Sequence, residues 1–322
     1  MPTTPTPDAK TLELNLGREA TYGVAPASYV RTYVYSYGVK PDKPLEDDRI
    51  LGVGLTTARD QSEPAPGLVS LAGSVEVPLD MRHLGYWLTL LFGDAVKTGS
   101  GPYQHVFTSG AASLPTATIA SQIGGSGPRQ DTGLVARSGR FALAAEAGFR
   151  RVTLDLAGKD RTYPGSLSIT PPTPPVRAPM PSATGILKID GSQAAKVLAF
   201  DGTYANGFEE ERYLDGAATV SGFAPGQNDA KWSGSMRVRW MDSTLEAQAA
   251  AGTPSSVEMV YQLSASLKLS LLSANVVFQR SGPDIGAPGR IEQTLAWRAH
   301  QTGAAAMLVA TLTNDVATGY LS

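Results

Sequence analysis

Short stretches in which apolar and polar residues alternate make up most of the chain, and this period of two is typical of half-buried β-strands. In TLELNLG (11–17), the alternation places Leu12, Leu14 and Leu16 on one face. Alternation and β-branched or aromatic residues predict further strands over 71–79, 103–121, 185–191, 197–208 and 234–240. The pattern therefore predicts a mainly β fold.

Apolar residues at helical spacing predict two short helices among these strands. The first is DMRHLGYWLTLLFG (80–93), which begins with an aspartate that can cap it and ends with a glycine. The second ends at Gly252, and Ser243 and Glu246 have the spacing of a capping box at its start.

Two longer apolar segments predict hairpins. FALAAEAGFRRVTLDLAG (141–158) is expected to turn near Gly148, and TLAWRAHQTGAAAMLVATL (294–312) near Gly303 in the same way. Each would add two adjacent antiparallel strands to a sheet.

The segment YVRTYVYSYG (29–38) is dense in tyrosine and predicts one strand with Tyr29, Tyr33, Tyr35 and Tyr37 on a single face. Such a face commonly packs on a core or on another chain. A platform that stacks sugars or bases is the alternative.

One charged phrase occurs twice. EDDRILG (46–52) and EEERYLDG (209–216) begin 163 positions apart, and strands, helix and turns recur around them in one order. Chance similarity would not preserve order and spacing, so we interpret the chain as two tandem β-sandwich modules, each with one short helix. The predicted division is a flexible arm at 1–10, a first domain at 11–169 with a long loop at 39–70, a Pro-rich linker at 170–182 and a second domain at 183–322.

The linker includes TPPTPPVRAPMP (170–181). Polyproline geometry is extended and stiff, rising about 3.1 Å per residue. We expect a spacer rather than a hinge.

Charge adds a hint about assembly. Charged residues are 17% of the chain, and the net charge of -2 gives no general attraction to nucleic acid or to an anionic membrane. A surface so poor in charge favours extensive contact with other subunits.

Little in the sequence points to catalysis. The chain has no cysteine, and its three histidines (His83, His105 and His300) lie far apart, which favours structural roles. Motifs of zinc proteases, serine hydrolases and P-loop proteins do not occur, and the glycine-rich stretches read as turns. We expect no enzyme activity, no cofactor and no metal. No secretory signal or membrane-spanning run is evident, so folding in a cytoplasm is expected.

The acidic phrase is the strongest candidate for a functional contact. Its acids could form a metal site or a catalytic carboxylate pair, but their recurrence in both modules favours a contact repeated between subunits. Arg237 and Arg239 could touch phosphate or pair with charge across an interface. The candidate inter-subunit or inter-ring contacts are Glu46, Asp47, Asp48, Arg49, Glu209, Glu210, Glu211 and Arg212.

The chain resembles the major tail tube proteins of long-tailed bacteriophages with non-contractile tails. The resemblance lies in EATYGVAP (19–26), residues 73–110, GILKIDG (185–191), TYANGF (203–208) and residues 236–254. It implies a β-sandwich with a flanking helix, whose inner strands join those of neighbours into a closed β-barrel around a lumen. Similar folds also serve contractile-tail tubes and tail terminators.

The resemblance also implies the partners. The chain would form stacked homotrimeric rings with pseudo-sixfold symmetry, with homohexamers as the alternative. The lumen would hold the tape measure protein and then pass DNA during ejection, and tail terminator and distal tail proteins would bind the ends of the tube. Assembly would occur in the host bacterial cytoplasm, with the product in the virion tail. We further expect the long loop and the arm to reach the next ring, and the lumen to be acidic or neutral.

Two other functions are open at this stage. A tandem β-sandwich that binds carbohydrate or mediates host adhesion fits the aromatic strands and the Pro-rich linker. A glycan hydrolase fits less well, because no carboxylate pair can be placed.

Overall fold

The computed structural model describes residues 8–48, 60–194, 196–226, 228–283, 285–286 and 288–321. Antiparallel β-strands dominate, and a single 19-stranded sheet system runs through both halves of the chain. A 3-10 turn at Ala9–Thr11 precedes the strands. The strands of the first half are β1 (Leu12–Arg18), β2 (Val30–Arg31), β3 (Ser36–Tyr37), β4 (Lys40–Asp42), β5 (Leu45–Glu46), β6 (Ala65–Pro66), β7 (Ser70–Pro78), β8 (Val96–Thr98), β9 (Tyr103–Thr108), β10 (Ala117–Ile123), β11 (Ser126–Ala144), β12 (Arg151–Gly158) and β13 (Asp160–Thr162).

The second half repeats much of this order. Its strands are β14 (Ile186–Ile189), β15 (Ser192–Gln193), β16 (Val197–Ala205), β17 (Phe208–Glu211), β18 (Gly222–Pro225), β19 (Lys231–Arg239), β20 (Ser255–Ser264), β21 (Leu267–Phe278), β22 (Glu292–Ala299) and β23 (Val309–Asn314). The two helices are α1 (Leu84–Phe92) and α2 (Thr244–Ala251).

One run of strands, which we call the ribbon, crosses the whole molecule. Its order is β3 with β4, then β7, β12, β11, β16, β19, β22 and β21, all antiparallel. Other strands cover one face of the ribbon, with β1, β10 and β13 over the first half and β14, β20 and β23 over the second. The result is a β-sandwich fold with a continuous core between the layers.

Strand β11 belongs to both layers, because it is 19 residues long and shifts register between Ala136 and Ser138. Its first part pairs with β10 and β13 in the cover, and its second part pairs with β12 and β16 in the ribbon. Such a bulge bends a strand, which lets one segment pass from one sheet to the other.

Helix α1 follows β7, and its capping differs from the prediction. Asp80 lies before the helix, where its Oδ1 accepts hydrogen bonds from the backbone N–H groups of Arg82 and His83. Gly93 ends the helix with φ 92°, as predicted. The capping box at Ser243 was wrong. Ser243 makes no side-chain capping hydrogen bond, and the side chain of Asp242 accepts instead from Thr244 N–H at 2.9 Å, in a turn just before the helix.

The tyrosine-rich segment is not one strand. The chain pairs with β1 at Val30–Arg31, leaves that sheet, and pairs with β7 at Ser36–Tyr37. Its tyrosines therefore do not share a face: Tyr29 is buried whereas Tyr35 is exposed and lies beside Arg151. The alternation in the sequence continues while the chain passes from one sheet to the other. Periodicity alone therefore does not reveal the change of sheet.

The predicted hairpin at 294–312 was also wrong, although a turn lies at Gly303. Strand β22 pairs in the ribbon with β19, whereas β23 pairs in the cover with β21 and β9. The connection therefore crosses between layers. By contrast, the segment 141–158 forms the predicted hairpin with its turn at Gly148.

The Pro-rich segment lies along the first half of the chain. Ala178 and Met180 are buried, and Met180 exchanges backbone hydrogen bonds with Leu79 and Arg150. The Asp80 carboxylate accepts from Ala178 N–H at 2.7 Å, and His83 Nε2 lies 2.8 Å from the Pro175 carbonyl. The segment is extended, and these contacts fix it in place.

The C-terminal segment packs on α1. Tyr320 is buried against Gly85 and Tyr86, and its hydroxyl donates to the Arg82 carbonyl. Arg82 forms a two-pronged ion pair with Asp315, with both N–O distances at 2.7 Å. Together with the pairing of β9 and β23, these contacts join the two halves at a second place.

Candidate assembly surface

The two halves of the ribbon meet at a joint inside the chain. Residues Ser138–Ala144 of β11 pair with Ala199–Ala205 of β16. Beside this joint, Asn206 donates to the carbonyls of Leu91 and Ala136, and the Tyr204 hydroxyl accepts from Gly110 N–H. A strand edge of one half is thus covered by a strand of the other.

Equivalent residues in the two halves follow from register. Tyr37 lies opposite Val75, and Phe200 lies opposite Met236 in the second half. The strand segment 36–42 therefore corresponds to 199–205 with an offset of 163, the same offset that separates the two acidic phrases. The repeat predicted from the sequence is present at the level of strand pairing.

The two ends of the ribbon differ from its middle. Ala136 lies opposite Leu156 as Phe278 lies opposite Trp297, so β21 corresponds to β11. However, β21 ends at Phe278, whereas β11 continues to Ala144. Among the described residues, β4 pairs with β7 alone. In the part of the chain that the structure describes, the outer edge of β4 and the segment 279–283 that follows β21 therefore have no strand partner at the two ends of the ribbon. An uncapped edge is a site for adding another strand.

The face of the ribbon that points away from the core carries small and polar side chains. One row across it, followed through successive strand partners, consists of Ser36, Glu76, Thr153, Arg140, Thr203, Ser233 and Arg298. The opposite face buries Val75, Leu154, Phe141 and Met236. This strict alternation shows that the uncovered face of the ribbon is suited to contact with solvent.

The carboxylates on this polar face are tied to arginines. The pairs are Glu76 with Arg151 (3.2 Å), Asp155 with Arg137 (3.1 Å), Asp201 with Arg140 (3.7 Å), and Glu292 with both Arg239 (2.9 Å) and Arg237 (3.8 Å). Arg237 and Arg239 therefore pair with charge on a neighbouring strand of their own chain. Each partly exposed pair adds little stability, but it neutralises a local charge.

The first acidic phrase lies on a small hairpin. Glu46 is opposite Ala65 in the pairing of β5 with β6. Asp47 accepts from Gln61 Nε2, and the Asp48 carbonyl accepts from Ser62 Oγ at 2.9 Å. All three acids are exposed, while Arg49 lies outside the described residues. The predicted long loop 39–70 is thus an extended hairpin at its base.

The second phrase lies on the corresponding hairpin of β17 and β18. Arg212 Nη2 donates to the Val69 carbonyl at 2.9 Å and to Glu210 at 3.2 Å, and Tyr213 donates to Glu211 at 2.8 Å. Glu209 is exposed on the same strand. Because Val69 ends the loop of the first half, the second phrase contacts the first half within one chain.

The side chains of His83 and His105 make structural contacts. Nε2 of His105 lies 3.0 Å from the Val316 carbonyl, and burial lowers the pKa of His105. His300 is exposed at the end of β22. In the part of the chain that the structure describes, no group of three potential ligands could hold a metal ion, and no helix is long and apolar enough to span a membrane.

Sequence reasoning missed the strands that form the joint. It assigned 141–158 and 197–208 to separate hairpins and strands without pairing them. The spacing of the repeat could have indicated this pairing. Because the two modules are equivalent, a strand edge that is covered in one module must have a counterpart in the other.

Comparison with known protein families supplies the identity. Residues 10–299 match the family of phage tail tube proteins, which covers most of the chain. A comparison with curated proteins found no matching sequence. With a β-sandwich fold, a repeated module and a match of this extent, the chain belongs to the phage tail tube protein family.

Proposed function

We propose that the chain self-assembles into stacked rings that form the tube of a long, non-contractile phage tail, the conduit for DNA ejection. The observation that carries the proposal is the internal joint, in which Ser138–Ala144 of one half pair with Ala199–Ala205 of the other. A protein that joins its own two modules edge to edge can join copies of itself in the same way. Repetition of one heterologous joint gives a closed ring when the rotation from one module to the next closes.

The ribbon supports a ring of three chains. It has eight strand positions, counting β3 and β4 as one, and each half supplies four of them. Three chains would close a barrel of about 24 strands from six similar modules. We therefore favour homotrimeric rings with pseudo-sixfold symmetry over homohexamers.

The polar face of the ribbon would line the lumen. Serine, threonine and alanine offer no bulky apolar contact, and the arginines paired with Glu76, Asp201 and Glu292 are partly neutralised. Unpaired lysine and arginine side chains bind a nucleic acid by releasing its counterions. Arginines that are already paired with carboxylates therefore favour passage of DNA over its binding. This lumen would be mixed in charge and close to neutral.

The repeated phrase would contact the next module at every joint. Arg212 binds the Val69 carbonyl within the chain, and register places Ala230 of the second half where Val69 lies in the first. Arg49 would then bind Ala230 of a second copy, as Arg212 binds Val69. Glu46, Asp47, Asp48, Glu209, Glu210 and Glu211 would surround these arginines.

The remaining partners follow from the role. The tape measure protein would occupy the lumen before ejection, and tail terminator and distal tail proteins would bind the two ends. The long loop at 39–70 and the arm at 1–10 would reach the next ring. Assembly would take place in the host bacterial cytoplasm and yield the virion tail.

Negative-stain electron microscopy with mass photometry on the same purified sample tests the proposal. We expect hollow tubes, or rings whose mass is three times 33.7 kDa. A chain that stays monomeric at high concentration, even after addition of a tail-initiation complex, would contradict the proposal. A monomer that binds glycans would instead support the carbohydrate-binding alternative.

A further inference from the structure

We infer that the segment Arg280–Pro283 of one chain adds as an antiparallel strand to the edge Val39–Asp42 of a second copy, with Arg280 opposite Asp42. The inference rests on the proposed self-assembly and specifies the joint between copies. Each side of the joint inside the chain has a counterpart at one free end of the ribbon.

The register follows from equivalent residues. Ser138 lies opposite Ala205 in the internal joint. Since Ala136 corresponds to Phe278, Ser138 corresponds to Arg280, and Ala205 corresponds to Asp42. The backbone N–H of Gln279 bonds to the Ala296 carbonyl, which fits the bulge found at the same place in β11.

Charge supports this register. Asp42 and Arg280 are both exposed. Their equivalents in the internal joint, Ala205 and Ser138, face the polar side of the ribbon. A carboxylate and a guanidinium directly opposite each other stabilise a strand pair. The new pair would continue the series of acid–arginine pairs on that face. In the free chain, Arg280 lies 3.8 Å from Glu246, a long and exposed contact.

The two prolines in the proposed joint between copies are also compatible with this register. In the internal joint, Asn206 N–H bonds to the Arg137 carbonyl, so every second residue of the acceptor edge points outward. Pro41 and Val39 hold such positions and would face Ser281 and Pro283. Pro41 has no N–H to donate to Ser281, and the Ser281 carbonyl already accepts from Gln293 Nε2.

The second proline shows the same complementarity. Pro283 has no N–H to donate to Val39, and the Val39 carbonyl already accepts from Arg161 Nη2 at 2.7 Å. Each missing donor thus faces an acceptor that is satisfied within its own chain. A shift of the register by two residues would leave these prolines facing carbonyls without that compensation.

Lys43 offers a third contact. It corresponds to Asn206, which donates to the Leu91 carbonyl in the last turn of α1. The Lys43 ammonium would reach the last turn of α2, and a cation is favourable at the carboxyl end of a helix.

Cysteine cross-linking tests the register, because the chain has no cysteine of its own. The double variant Asp42→Cys with Arg280→Cys should form closed, cross-linked trimers under mild oxidation, since directly opposite residues lie within disulfide reach. Lys40→Cys with Arg280→Cys, displaced by two residues, is the matched control and should cross-link weakly. Equal cross-linking of both variants, or of neither, would overturn the register.

Charge reversal tests the pair itself. Asp42→Arg and Arg280→Asp should each raise the concentration needed for ring formation at least about fivefold, and the combined variant should return to within about twofold of the unmodified chain. Arg290→Asp, an exposed change in the same loop, should have little effect. If tubes form normally in both single variants, the inference fails while the proposed function stands. If the unmodified chain makes no ring, both fail.

Discussion

Gly73 and Gly234 occupy the same position in the two halves, each where a ribbon strand passes too close to its neighbour for a side chain. A Cβ on Gly73 would overlap the Gly38 carbonyl oxygen, and a Cβ on Gly234 would overlap that of Asp201. Gly38 and Asp201 are themselves equivalent. The two modules therefore share a steric requirement as well as a strand order.

Alanine at either glycine should destabilise the chain. Because the obstacle is backbone, we expect a loss of about 1–3 kcal/mol or more in the free energy of unfolding for Gly73→Ala and for Gly234→Ala. Chemical denaturation measures the effect. Gly165→Ala, where a Cβ would meet open space, is the control and should change stability little.

Removal of Asp131 should be costly. Asp131 is fully buried, pairs with Arg161 at 2.6 Å and accepts a hydrogen bond from Tyr37. Asp131→Ala would leave a buried guanidinium unpaired, at a cost of about 3–5 kcal/mol in the free energy of unfolding. Asp155→Ala breaks a partly exposed pair with Arg137 and should cost under about 1 kcal/mol. Equal losses would show that burial is not the cause.

Tyr320 should anchor the C-terminal segment. Tyr320→Ala would open a cavity beside Gly85, Tyr86 and His105, with an expected loss of about 3–5 kcal/mol in unfolding free energy. Tyr320→Phe keeps the ring and isolates the hydroxyl. Tyr163→Ala removes an exposed ring and serves as the control. A small effect of Tyr320→Ala would mean that the C-terminal segment does not hold the two halves together.

His105 should make stability depend on pH. Burial lowers the pKa of His105 below 6.5, with a smaller contribution in the same direction from Lys97. Below pH 6.5, the unfolded chain therefore binds a proton that the folded chain does not, so the free energy of unfolding falls as pH decreases. Denaturation between about pH 5 and 7 should show this slope, and His105→Asn should reduce it. An unchanged slope in His105→Asn would assign it to other groups.

The two arginines of the repeated phrase should act on different processes. Arg212→Ala removes a hydrogen bond to Val69 within the chain and should lower the melting temperature of the monomer. If Arg49 contacts the next copy, Arg49→Ala should raise the concentration needed for ring formation. Thermal denaturation and mass photometry on both variants separate the two effects. Unaltered assembly of Arg49→Ala would contradict its proposed role.

Local pattern predicted much of the fold, because faces and turns are local properties. Gly148, Gly93 and Gly252 lie at turns or helix ends as the sequence indicated. The strand at 29–38 and the hairpin at 294–312 were wrong for one reason. Both segments cross between layers, and alternation reports which side of a strand is buried without reporting which strand lies beside it.

Part of the candidate assembly surface could be predicted from the sequence, and the contacts of the acidic phrases with other subunits stay predictions. The repeat of the acidic phrase correctly marked corresponding hairpins, and Arg212 lies at the contact between the two halves. The edges that form the joint carry no unusual residue type. Asp42 and Arg280 became informative only through the equivalence of the two halves, which would place them opposite each other in the proposed joint between copies.

The internal joint has a kinetic consequence. Every folded chain carries one joint that is already closed, because β11 and β16 pair within the chain. In the proposed ring, six separate modules would have to associate, whereas three fused pairs would suffice. The rate of spontaneous ring nucleation would then depend on a lower power of protein concentration, and the fused partner acts at the high effective concentration of a tethered group. Any ring built from such fused pairs would also contain an even number of modules.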